Sequence, residues 1–325
     1  MNSCNDVESD SSDKAEGARP KYFQCKQREY RHRLKNERAC LLEALALFQE
    51  ESKQSKENLH RLQDLVDSNS SLIFEIMRFL RACKPRPGPI ISEEQPMNYN
   101  VTLMANGAAR LHAKQWLVQQ LYHNTSRIFH NFPVTDASDE FTQIRAECSG
   151  PWVHIVERTQ VLFPYPLEDI KRFFLHPQSQ EIICLTDEID VERDGNTVLA
   201  HGRFNDAVGW HLLQGHFFQA DRFVVVHRHI YDDEAVEGSG DPDYHEMEWF
   251  DVRRISPTQS LVRNIGHRTM LIKDVKEFAT EMGATVTTHD KKTTERQVEA
   301  FSRHLSTSFQ TNMSKMLVYC RSSTE

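Results

Sequence analysis

The sequence predicts an α+β protein in which a curved antiparallel sheet is wrapped on a long C-terminal helix and preceded by a second long helix. Three observations carry this. Residues 34 to 80 repeat apolar side chains every 3.5 positions, residues 186 to about 270 alternate with the period of strands, and residues 291 to 318 return to helical spacing.

Composition sets the bounds. The chain has 325 residues, room for about two units of the usual 100 to 200. Hydrophobic residues make up 39%, with 18 Phe and 4 Trp, enough to build a core. A net charge of −8 opposes attraction of the whole protein to nucleic acid or anionic membrane, so any such attraction must be local. The seven cysteines (Cys4, Cys25, Cys40, Cys83, Cys148, Cys184, Cys320) are odd in number and contain no CxxC pair. They indicate a reduced, intracellular chain, cytoplasmic or nuclear. The opening MNSCNDVESDSSDKAEG is acidic and Ser-rich, and no apolar run reaches 18 residues, so neither a secretory signal nor a membrane span is expected.

Residues 1–18 lack the apolar surface to offset ordering entropy and are expected to be a disordered acidic tail. Residues 19–82 form a basic segment and coiled coil. Between residues 19 and 38 eight Lys or Arg face two acids, a balance of 8 − 2 = +6. With Leu34 as d, the seam reads Leu34, Arg38, Leu41, Leu45, Phe48, Ser52, Ser55, Leu59, Leu62, Val66, Asn69, Ile73, Ile76 and Leu80, ten of fourteen apolar. So narrow a stripe stays dry only against another helix, which implies a homodimer or heterodimer through residues 34–80. A single amphipathic helix folded onto the next domain is the alternative, although it would want a wider apolar face.

A basic segment running into such a seam resembles a basic leucine zipper, whose helices grip the major groove. The spacing back from Leu41 places Arg31 in the family's phosphate-contacting slot. Lys26, Arg28, Arg33 and Lys35 complete the basic set. The same count puts Phe23 where that family has a base-reading Asn, and Phe cannot make the bidentate hydrogen bonds that adenine offers. Phosphate attraction would survive, so a nucleic-acid partner and a plain dimerising coil with a basic end both stay open.

Residues 83–100 are a Pro-rich linker, with Pro85, Pro87, Pro89 and Pro96 excluding continuous helix. Residues 101–325 form the second domain. It opens with a helical stretch ending near Phe129, then a strand pair, EFTQIRAEC and WVHIVERTQVLF, around Ser149-Gly150-Pro151, then a short helix after Pro164. The Asp194-Gly195 dipeptide between two alternating runs signals a tight hairpin. Four more strands follow as an antiparallel meander: WHLLQGHFFQ, RFVVVHRHIY, HEMEWFDVRR and SLVRNIGHRT. DVKEFATEMG has an Asp274-x-x-Glu277 capping pattern and Gly283 as a stop. The last helix carries the stripe Val298, Phe301, Leu305, Phe309, Asn312, Met316 and Tyr319, and lies across a six-stranded sheet.

This order, about residues 105 to 325, resembles the helix-grip fold of the START and birch-pollen-allergen superfamily. FFQADRFVVVHRHIYDDE followed by EMEWFDVRR resembles START-like domains of water-mould proteins, some described as mating-specific, which often carry a basic, zipper-like helix in front. The resemblance implies a cavity between sheet and terminal helix for a lipid or other hydrophobic small molecule. Trp210, Leu212, Arg228, Trp249, Phe301, Leu305, Phe309 and Met316 are placed on or near its wall, although each aromatic could equally be ordinary core. Arg228, a charge on an apolar strand, needs a partner, either an acid such as Asp251 or a ligand headgroup. His227 and His229 share one strand face ahead of Asp232, Asp233 and Glu234. Two ligands on one strand with no third placed by spacing do not make a metal site. The acidic run reads as a solvated loop. No phosphate loop, nucleophile elbow or HExxH motif is present, so the expectation is a non-enzymatic binding module with no catalytic residue, cofactor or metal.

Overall fold

The computed structural model describes residues 18–85, 99–133, 135–184, 189–203, 209–236, 243–287 and 290–322. The acidic tail, most of the Pro-rich linker and the tip of the acidic loop after residue 236 lie outside the described residues.

Helix α1 runs from Ala18 to Ala82. The chain divides into two compact units, Met1–Ser71 and Leu72–Glu325. Within the first unit the seam residues Leu34, Leu41, Leu45, Phe48, Leu59, Leu62 and Val66 are all exposed. The second unit takes in the last turns of α1, where Phe79 is buried edge-on against Trp116 at 6.0 Å.

Two-residue strands β1 (Lys84–Pro85) and β2 (Tyr99–Asn100) pair with each other, and β3 (Thr102–Leu103) follows. Helix α2 spans Gly107–Ile128, capped by Asn106, whose Oδ1 accepts from the Ala109 amide at 3.1 Å. Strands β4 (Phe141–Ser149) and β5 (Trp152–Phe163) come next, then helices α3 (Leu167–Leu175) and α4 (Ser179–Cys184). The remaining strands are β6 (Ile189–Asp194), β7 (Thr197–Arg203), β8 (Gly209–Phe218), β9 (Arg222–Ile230), β10 (Asp232–Asp233), β11 (His245–Ser256) and β12 (Gln259–Leu271). Helices α5 (Ile272–Glu281) and α6 (Lys291–Ser322) close the chain.

Eight strands form one antiparallel sheet in the order β4-β5-β12-β11-β9-β8-β7-β6. The sequence reading had a six-stranded sheet with the β4–β5 hairpin apart. Instead β5 pairs with β12 from Ser260↔Phe163 to Leu271↔Trp152, joining the first hairpin to the last strand. Helices cover both faces. On one, α2 packs Leu117, Val118 and Leu121 against Leu199, Leu213, Val224, Val226, Met247, Trp249 and Ile265. On the other, α3 and α6 bury Phe173, Phe174, Met313 and Leu317 against Phe223, Val225, Phe250 and Val252, while α5 and the start of α6 bury Val275, Val298 and Phe301 against Ile144, Ala146, Val153 and Ile155. The chain therefore has the α+β helix-grip arrangement, a long terminal helix held against an antiparallel sheet.

Two glycines set close approaches. A Cβ on Gly215 would lie 2.5 Å from Val118 Cβ, so the missing side chain lets α2 rest directly on β8. A Cβ on Gly202 would lie 2.2 Å from the Trp210 indole, which lies over β7 at that point. Gly195, at φ 57°, supplies the left-handed residue of the predicted hairpin. Asp274 is in the first turn of α5 rather than its cap, because helix begins two residues earlier, after Leu271. Among the described residues no helix is long and apolar enough to cross a membrane.

Candidate functional site

Strand alternation sorts every inward side chain to one face or the other. Gln214 and His216 of β8, His227 of β9, Glu248 of β11, and Asn264 and Arg268 of β12 share the face that α6 covers. They form one hydrogen-bonded strip. Gln214 Oε1 accepts from Gln180 Nε2 of α4 at 3.1 Å and from His216 Nε2 at 2.8 Å. The Gln214 amide nitrogen then donates to His227 Nε2 at 2.6 Å, which leaves the proton on His227 Nδ1, facing Glu248 Oε2 at 3.2 Å. Glu248 Oε1 accepts from Asn264 Nδ2 at 2.8 Å and from Arg268 at 3.3 Å. Arg268 also reaches Glu246 at 2.6 Å and Glu157 at 2.9 Å.

Burial raises the Glu248 carboxyl pKa, but His227, Arg268 and Asn264 outweigh it, and the net shift is downward. Burial, reinforced by repulsion from His227, drops His216 to about 3. Arg268 is shifted upward because its three carboxylate neighbours overcome the cost of its burial. Asn264 is buried, and its Oδ1 has no hydrogen-bond partner. Chemically, the strip offers an acceptor at Asn264 and an imidazole oriented by a carboxylate, whose second nitrogen is held by an amide.

The expected wall residues separate by face. Trp210 and Leu212 are on the α6 side, packed with Ile183, Cys184 and Ile189. Phe301 and Leu305 lie in the cluster at the start of α6, Phe309 and Met316 in the cluster further along it. Arg228 and Trp249 do not join them. They pair across strands with Met247 and Val226 respectively and face α2, where the Trp249 indole donates to the Leu121 carbonyl at 3.0 Å. The central strands are buried on both faces, so an apolar run alone does not say which side a residue takes. Asp251 pairs with Arg222 at 2.7 Å and Arg253 at 2.8 Å instead of Arg228. The basic set Lys26, Arg28, Arg31, Arg33 and Lys35 is exposed along α1, with Lys26 6.0 Å from the Tyr22 ring.

The α2 face carries a second polar group that sequence reasoning missed. Arg110 and Lys114, one helical turn apart and both buried, meet Glu192 and Asp194, which alternate onto the same face of β6. Burial raises Glu192, yet Arg110 and Lys114 bring it down to about 2. An i,i+4 basic pair and an i,i+2 acidic pair are a readable signal once the helix is assigned to that face. Arg110 also grips both oxygens of Asp233. Asp233 is buried rather than solvated, because β10 pairs in parallel with β3. Beside it lie His201 and His211, and among the described residues this trio is the one cluster that could hold a metal ion.

No known protein family matches the sequence, and no curated protein resembles it significantly. Similar solved structures include the Zhui aromatase/cyclase from Streptomyces sp. R1128, 11% identical over 54% of this chain and 96% of that one, TM-score 0.33. The human StarD13 lipid transfer and protein localization domain is 12% identical over 57% and 95%, TM-score 0.31. Norcoclaurine synthase from Thalictrum flavum is 10% identical over 47% and 95%, TM-score 0.28. Two of these are enzymes, so the sequence-based expectation of a non-enzymatic module is withdrawn.

Proposed function

We propose that residues 101–325 form a START-like domain that binds an amphipathic, lipid-like molecule between the sheet and α6, and that residues 34–80 pair two chains. The observation that carries the ligand reading is the change of character along the buried side of α6. Apolar clusters hold the helix around Phe301 and again around Met313, while Ser302 and Ser306 are buried between them. The sheet face beneath is polar at its centre, and Asn264 Oδ1 is buried without a partner. Such an acceptor costs about 1–3 kcal/mol, which a ligand hydroxyl or amide N–H would offset while its hydrocarbon lies against the apolar side chains.

The test is saturable binding of a fluorescent acyl lipid by the full chain, with mass spectrometry of an organic extract. Leu305→Trp should block uptake by filling space under α6, and Asn264→Leu should weaken binding by tenfold or so, about 1.4 kcal/mol. An empty extract with no saturable binding, or undiminished uptake by both variants, would overturn the reading.

The exposed seam supports a coiled coil, since nine of its ten apolar residues are exposed on one stripe and would gain by meeting another helix. A pair would bring two exposed basic segments together, which favours nucleic acid as a second partner. Duplex binding that weakens with salt and is lost on replacing Arg28 and Arg31 supports that contact, and salt-independent or absent binding rules it out.

A further inference from the structure

His201 and His211 are direct cross-strand partners on β7 and β8, so both rings stand on the α2 face, away from the ligand strip. Their Nδ1 atoms are 2.8 Å apart. Asp233 reaches the same corner from β10, with Oδ2 4.0 Å from His201 Nε2. One donor atom from each residue lies within 4.8 Å of the others. His211 and Asp233 are fully enclosed, and the His201 side chain is 12% exposed.

Two features separate this corner from an ordinary packed pair. His211 Nε2 is buried and makes no hydrogen bond, so the ring is only half satisfied by the protein. The charge is also unbalanced. Around His201 the carboxylates of Glu192 and Asp233 both bond the Arg110 guanidinium, a sum of 1 − 2 = −1. Adding Lys114 and its partner Asp194 leaves that sum unchanged.

We propose that His201, His211 and Asp233 bind one divalent transition-metal ion of the zinc type. Two imidazole nitrogens and one carboxylate oxygen suit a borderline cation, and three protein ligands leave a position for water. Donors at about 2.0–2.1 Å in a tetrahedral site lie about 3.3 Å apart. One donor atom from each of the three residues already lies within 4.8 Å of the others, so the donors need only draw together to reach that spacing. Arg110, bonded to both Asp233 oxygens, acts as the outer partner that orients the carboxylate. The ion's positive charge would offset the local negative excess.

The test uses the full chain stripped with a chelator and titrated with Co²⁺, followed by Zn²⁺ competition. One equivalent should develop visible ligand-field bands that Zn²⁺ abolishes, and Zn²⁺ should raise the melting temperature. In His201→Gln and in His211→Phe the Zn²⁺ affinity should fall at least about a hundredfold, beyond the effect of an outer partner. Circular dichroism identifies a variant that has not folded, and the other then serves. An unaltered chain with no saturable bands overturns the proposal, as does equal affinity in a folded variant, because the ion would then be held by other histidines.

Discussion

Lowering the pH from 7 to 5 is expected to remove about 4 kcal/mol of folding stability through two buried imidazoles alone, His216 and His267. Both are nearly inaccessible, His216 on the α6 face and His267 on the α2 face. Burial first, then His227 beside one and His154 and Arg158 beside the other, hold each at about 3. In the unfolded chain a histidine titrates near 6.5. Because the folded values are depressed, the unfolded state takes the protons first. Stability is fully present above about 6.5 and is lost as the pH falls towards 3. At about 1.4 kcal/mol per pKa unit, each ring costs about 2 kcal/mol by pH 5, with a combined slope of roughly 2.5 kcal/mol per pH unit near 5.5. Against a typical total of about 5–15 kcal/mol, that is a large share. Urea unfolding followed by tryptophan fluorescence at stepped pH measures it. His267→Phe keeps a ring beside Trp249 and should halve the slope. A flat unfolding free energy between pH 7 and 5.5, or an unchanged slope in that variant, would refute the reasoning.

Replacing Leu59 and Leu62 with Lys would bury charge in the seam, so light scattering should show a dimer become a monomer, and an unchanged mass would reject pairing through residues 34–80. Gly202→Ala drives a methyl group into the Trp210 ring and should cost about 1–3 kcal/mol, read as a lower urea midpoint. Retained stability would mean that the indole can swing away freely.

Local chemistry made most elements legible. Gly195 in its turn, Gly283 at φ 74° after α5 and the period change at Lys291 each appear where the spacing put them. Pairing between distant segments was not legible. Nothing in WVHIVERTQVLF says that it lies against SLVRNIGHRT rather than apart from it, and β3 with β10 are too short to show a period. That second omission turned Asp233 from a core residue into a supposed loop residue. Arg228 and Trp249 were misplaced for a different reason. In RFVVVHRHI nearly every residue is buried, so alternation gives two faces but not which helix covers each. The four candidates on α6 came from a single amphipathic stripe, and a helix with one buried side leaves no such ambiguity of face.

The two-rung β3–β10 ladder has a mechanical meaning. Asp232 donates its amide to the Val101 carbonyl and Glu234 donates to Leu103, so the carboxylate beside the two rings hangs on the stretch of chain just before α2. Opening those rungs would free the backbone on either side of Asp233 and leave its carboxylate tied to α2 through Arg110. An ion held by His201, His211 and Asp233 would act as a rivet between that short ladder and strands β7 and β8 of the large sheet.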